Sequence, residues 1–200
     1  MNKVTDKICD AMLELLKVKE YEKISIADLV TAAEVNRSSY YYHFYDKREV
    51  VDRIIQEICD DIVGIDDGLL TEGNISREGM RQKSVNEFER YRQNFDKIKT
   101  LYRAGFSEAF EDRLENRMIE DRSRYEYIFV KEDGSEERVD SGIMYNIKVR
   151  DAVASTMAHI KLLVEYGFAI PIDKFLDTVG ESAYYHFKTA SRKRAKRRLD

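Results

Sequence analysis

The chain has 200 residues, of which 43% are hydrophobic and 36% charged, and a formal net charge of −4. That length supports one sizeable core, or a small domain carried on a larger one, while the negative balance excludes attraction of a polyanion to the molecule as a whole, so any nucleic-acid contact must come from a local patch. One proline, no tryptophan and a charge fraction above the usual ~25% exclude a fold built on many turns and favour long helices with solvated faces.

Val4, Ile8, Met12, Leu15 and Leu16 recur at helical spacing and predict a first amphipathic helix ending near Lys19. Ser25 followed by Asp28 is an N-terminal capping pattern, and Ile26, Leu29 and Val30 give the short helix behind it a core face. Asn36 is placed to cap the next helix, expected to run to about Phe44. Asp46 caps a long fourth helix with the stripe Val51, Ile54, Ile55, Ile58 and Ile62. Residues 64–76, with three glycines, read as a loop or hinge.

Helical periodicity returns over 77–124, in about three pieces, with a break expected at Gly105 and Ser107. Residues 127–140 read as a charged loop, with a small β-hairpin turning at Asp133-Gly134 as the alternative. A long helix follows over 141–168, carrying Val149, Val153, Met157, Ile160 and Val164 on one face and stopped by Gly167 and Pro171. A last helix is expected over about 172–198. Its end, Arg192 to Arg198, is a dense basic run; the ordinary reading is a solvated helix end, where cations suit the dipole, and the other is added attraction to DNA. Cys9 and Cys59 fall in apolar helical patterns and read as reduced core thiols. With no leader pattern and no apolar run of ~18 residues, a cytoplasmic location is expected.

The stretch 36–47 holds the chemistry. On a helix Tyr40 and Phe44 share one face and belong to a core, while Arg37 and Tyr41 share another with Ser38. Three consecutive tyrosines span about 200° of a helix, so they cannot all be buried. Asn36, Arg37 and Ser38 sit at the end that a recognition helix offers to bases. Arg37 can form a bidentate pair with guanine and Tyr41 can pack on a thymine methyl or bond a phosphate. Tyr42 and His43 suit phosphate oxygens, and Lys47 adds charge beside the free amides of the fourth helix.

Leu29-Val30-Thr31-Ala32-Ala33-Glu34-Val35-Asn36-Arg37-Ser38-Ser39-Tyr40-Tyr41-Tyr42-His43-Phe44-Tyr45-Asp46-Lys47 resembles the pattern Ile-x-x-Ala-x-Ala-Gly-Val-Ser-x-Gly-Thr-Phe-Tyr-x-Tyr-Phe-x-x-Lys of the tetracycline-repressor family of bacterial transcriptional regulators. The resemblance covers residues 4–60 well; beyond them only the architecture matches. It implies an all-α protein, with a three-helix helix-turn-helix DNA-binding domain over 1–46. A larger helical effector-binding and dimerisation domain would follow over 47–200, ending in the basic tail. By the same resemblance Arg37, Ser38 and Tyr41 read bases, and Tyr42, His43 and Lys47 hold phosphates. A homodimer forms through about 145–168 and 172–190, and the implied partner is a near-palindromic duplex. Two positions depart from the pattern: Glu34 stands at the turn glycine, where a left-handed backbone would cost roughly 1–2 kcal/mol, and Ser38 replaces the usual small residue after the basic position.

An unknown small-molecule effector is implied in the larger domain. Phe88, Tyr91, Phe95, Tyr102, Phe106, Met157 and Ile160 are candidates to line its cavity, although each taken singly reads as ordinary core. No cofactor is called for. His43, His159 and His186 are too scattered for a metal site, and no nucleophile motif or glycine-rich phosphate loop suggests an enzyme. The competing reading is a co-regulator or small-molecule sensor of the same fold that no longer reads DNA and acts through a protein partner.

Overall fold

The computed structural model describes residues 3–63, 77–123, 126–130, 136–139, 142–167, 169, 171–175, 177 and 192–194. The expected loop at 64–76, the hairpin turn at 131–135 and most of 176–191 lie outside the described residues.

Three of the first four helices begin where short-range capping puts them. Helix α1 spans Lys3–Val18 and buries Ile8, Met12 and Leu16. A 3-10 turn, Tyr21–Lys23, leads to Ser25, which caps α2 (Ile26–Ala32) with a complete capping box. The Ser25 hydroxyl accepts from the Asp28 N–H at 3.1 Å, and the Asp28 carboxylate accepts from the Ser25 N–H at 2.7 Å. The Lys19 ammonium, 2.8 Å away, and then the Ser25 N–H and hydroxyl hold the Asp28 carboxyl well below the usual carboxylate range. A depressed acid stabilises the fold above its unfolded-state value and loses that contribution as pH falls toward the folded value. This cap therefore survives mild acid.

Asn36 caps α3 (Arg37–His43) by accepting from the Ser39 N–H at 2.7 Å, and Asp46 accepts from the amides of Arg48 and Glu49 at the start of α4 (Lys47–Val63). The α2–α3 turn is left-handed at Glu34, with φ 53°. Replacing Glu34 with glycine is expected to raise stability by about 1 kcal/mol, less the flexibility that glycine adds to the unfolded chain. Denaturant unfolding measures it, and an unchanged or lower midpoint would show that the turn carries no strain.

Helix α5 (Arg77–Arg103) and α6 (Ser107–Ser123) are separated at Ala104-Gly105-Phe106, where Gly105 has φ +83°. The segment 77–123 thus holds two helices, with the break where glycine and serine placed it. Strands β1 (Glu126–Val130) and β2 (Glu136–Val139) pair antiparallel, Tyr127 opposite Val139 and Val130 opposite Glu136. The hairpin alternative is thus the one adopted. Helix α7 (Ile143–Tyr166) ends on Gly167, left-handed at φ 65°.

The last helix requires correction. Ile172–Phe175 is helical, but Arg192–Arg194 is a strand, β3, antiparallel to β1, giving the order β2-β1-β3. Like charges three or four residues apart disfavour a helix in a run of seven positions with six cations, and the strand-forming Tyr127-Ile128-Phe129-Val130 offers a free edge instead. Among the described residues the chain is predominantly helical, with this one small sheet.

Two compact units divide the chain. The first comprises residues 1–60 and 94–113, the second 61–93 and 114–200. In the first, α1, α2 and α3 meet around Leu29 and Tyr40, both fully buried, with Phe44 5.9 Å from the Tyr40 ring. Val50, Val51, Ile54, Ile55 and Ile58 bury the stripe of α4. Cys9 and Cys59 are buried and not joined in a disulfide, and burial pushes Cys9 up to about 12. In the second unit, Phe88 lies 5.4 Å from Phe175, which His159 meets edge-on at 5.8 Å; burial lowers the pKa of that imidazole. Among the described residues no helix is long and apolar enough to cross a membrane.

Candidate nucleic-acid interface

Helix α3 is two turns long, and its two faces have opposite fates. Tyr40 and the capping Phe44 point into the core, while Arg37, Ser38, Tyr41 and Tyr42 are exposed; Tyr42 is 84% exposed. The Tyr41 ring stands edge-on to Tyr40 at 5.4 Å, so a buried aromatic props an exposed one. His43 is half-buried and edge-on to Tyr42 at 4.9 Å. Three hydroxyl groups and one guanidinium therefore project from one short helix. That set can donate to phosphate oxygens and to base edges.

Asn36 is exposed, but its side-chain oxygen is committed to the cap, which leaves only its amide NH2 for another partner. Tyr45 escaped the sequence reading. It lies just past α3, is 83% exposed, and its backbone N–H is held by the Glu49 carboxylate. The signal for it was five tyrosine and phenylalanine residues in a run of six, of which only Tyr40 and Phe44 fit a core face.

Most cations near this surface are engaged. Lys19 pairs with Asp28, Lys23 with Glu20, Arg48 with Asp52 and Arg53 with Glu57. Arg37 makes no ion pair among the described residues. Lys47 is half-buried and turned inward: its ammonium donates to the carbonyls of Tyr21 (2.8 Å), Glu22 (3.2 Å) and Ile24 (3.0 Å), 4.2 Å above the Tyr21 ring.

The candidate effector-cavity residues divide between the two units. Phe88, Tyr91, Met157 and Ile160 are buried in the second. Phe95, Tyr102 and Phe106 belong to the first. There the Tyr102 hydroxyl bonds Glu111 at 2.9 Å, and Phe106 meets Tyr21 edge-on at 4.9 Å. Burial, then the Glu111 carboxylate, raises the Tyr102 phenol. No three His, Cys, Asp or Glu side chains converge on a metal position among the described residues.

Residues 8–54 match the family model described as "Bacterial regulatory proteins, tetR family". Solved structures share the fold over most of the chain. A putative TetR-family transcriptional regulator from Syntrophomonas wolfei is 20% identical, with a TM-score of 0.60, over 89% of this chain and 91% of its own. The dihydroxyacetone kinase operon activator DhaS is 15% identical, with a TM-score of 0.59, over 94% and 98%. A TetR transcriptional regulator from Streptococcus agalactiae is 19% identical, with a TM-score of 0.53, over 90% and 93%. The matched segment runs through α1, the capped turn, α3 and the first half of α4. With α3 built on that framework, the N-terminal segment 8–54 is a domain of the kind described for the tetR family of bacterial regulatory proteins.

Proposed function

We propose that the protein is a cytoplasmic transcriptional repressor that binds a near-palindromic duplex as a homodimer and is released by a small-molecule effector. The observation that carries the reading is the polar face of α3, where Arg37, Ser38, Tyr41 and Tyr42 stand exposed over a buried Tyr40. Arg37 and Tyr41 read bases, and Tyr42 and His43 hold phosphates. Two such helices enter successive major grooves roughly 34–36 Å apart.

The flank of α7 supports the dimer. Ile143, Ile147, Ala154, Ala158, Leu162 and Tyr166 are exposed at steps of four and seven along it. Apolar and small residues in such a row suit close packing of a second copy. The effector site belongs to the domain beyond residue 47, among Phe88, Tyr91, Met157 and Ile160 and their neighbours. One protein of this fold is named an operon activator, so the sign of regulation is settled by transcription assay rather than by fold.

Selection from a pool of random duplexes tests the reading. An enriched palindrome is the expected result; a pool that stays random overturns it and favours a co-regulator acting through a protein. Sedimentation should give the mass of two chains. Leu162→Glu, which puts a charge into the apolar row, should weaken the dimer at least about tenfold. A mass unchanged by that substitution would place the dimer contact elsewhere.

A further inference from the structure

We infer that Lys47 is a positioning residue that aims α3 by clamping the 3-10 turn to the start of α4, and that it is not a phosphate ligand. An ammonium has three N–H donors, and here three carbonyls stand within bonding distance: Tyr21, Glu22 and Ile24. They are the exit carbonyls of the 3-10 turn and of the residue that caps it. Such carbonyls lie at the negative end of a helical turn; that of Tyr21 also accepts from the Ile24 N–H at 3.1 Å, and the part-buried Ile24 carbonyl is the one that most needs the ammonium. Ile24 is buried, so the clamp reaches into the core margin.

The seat is built from both sides. The Tyr21 ring lies 4.2 Å below the Lys47 nitrogen and is itself held edge-on by Phe106 at 4.9 Å. The Arg48 guanidinium covers the Phe106 ring at 5.3 Å. Lys47 is the first residue of α4, and α3 ends only four residues earlier at His43. Tying Lys47 to the segment before α2 therefore fixes both ends of the α2–α3 unit. Binding a phosphate would oblige the ammonium to surrender carbonyls that have no other charged donor.

The binding arm of the test rests on the DNA-reading role proposed above; the stability arm does not. In the full-length chain, Lys47→Met keeps the alkyl stem and removes the charge. Lys47→Arg keeps the charge in a planar fork that cannot meet three converging carbonyls. Both are expected to lower the thermal midpoint by roughly 5 °C. Both should weaken binding to the selected duplex roughly tenfold, measured well below the midpoint, with the slope of log K against log salt unchanged. Tyr21→Leu, which removes the seat, should weaken binding in the same way. A phosphate ligand behaves otherwise: Lys47→Met lowers the slope by about two, one for each chain of the dimer, the midpoint stays put, and Lys47→Arg binds like the parent. That pattern overturns the inference. A Lys47→Met chain that fails to fold supports it, because loss of a surface phosphate contact leaves a fold intact. If the parent binds no duplex, the DNA-reading role fails while the two midpoints still decide the clamp.

Discussion

Tyr40→Ala should cost the N-terminal unit about 3–5 kcal/mol of stability, whereas Tyr40→Phe should leave it as stable as the parent or more so. Tyr40 is fully buried between α1, α2 and α3, with Phe44 and Tyr41 against its ring. Truncating a buried aromatic to alanine costs about 3–5 kcal/mol, a large share of the 5–15 kcal/mol that holds a typical domain. The hydroxyl is a different matter. It is buried and has no hydrogen-bond partner among the described residues, and burial raises its pKa, so it stays a neutral phenol without an acceptor there. Removing an unsatisfied buried hydroxyl should gain about 1 kcal/mol. Denaturant unfolding of both variants, followed by helical signal, measures this. Tyr40→Phe less stable than the parent by 1 kcal/mol or more would show that the hydroxyl is doing work in the core.

Arg37→Ala and Tyr41→Ala should weaken duplex binding without touching stability, and they should do so in distinguishable ways. Both side chains are exposed, and neither is part of the buried core. Loss of a bidentate arginine contact costs about 1–3 kcal/mol and relaxes preference at a single base pair. Arg37 is also the one arginine or lysine of α3. Its removal from both chains of the dimer should flatten the salt dependence by at most about two units, if each also touches a phosphate. Tyr41 carries no charge and should change affinity with no change of slope. Because the neighbouring cations are paired with Asp28, Glu20, Asp52 and Glu57, the parent slope itself should be shallow for a dimer. Titrations of the selected duplex at several salt concentrations read all of this at once. Variants of both residues that bind like the parent would move the interface off α3.

The separation of core from exposed polar face in α3 was legible in the sequence. Tyr40 and Phe44 are one helical turn apart, and so are Arg37 and Tyr41, so periodicity alone assigns the pairs to different faces. The helix starts were legible for the same reason. Ser25 with Asp28, Asn36 with Ser39, and Asp46 with Glu49 each close a bond over three residues. The two helix ends at Gly105 and Gly167 also needed only a local left-handed backbone. Whatever is decided within one turn of helix can be read from spacing.

Lys47 shows where that stops. Its charge and its place at the start of α4 suggested a phosphate partner, but its ammonium is taken up by carbonyls some two dozen residues back along the chain. The pairing of Tyr21 with Phe106 is longer still, and no periodicity connects those positions. The tail is the third case. Arg192–Arg194 has residues that tolerate a helix, yet it becomes a strand because β1 presents an unpaired edge. Sequence by itself determined which residues cap, break and divide the helices, since those choices are settled by bonds to near neighbours. Which polar groups remain free to meet DNA was decided by the tertiary fold, because distant carbonyls, rings and strand edges compete for the same side chains.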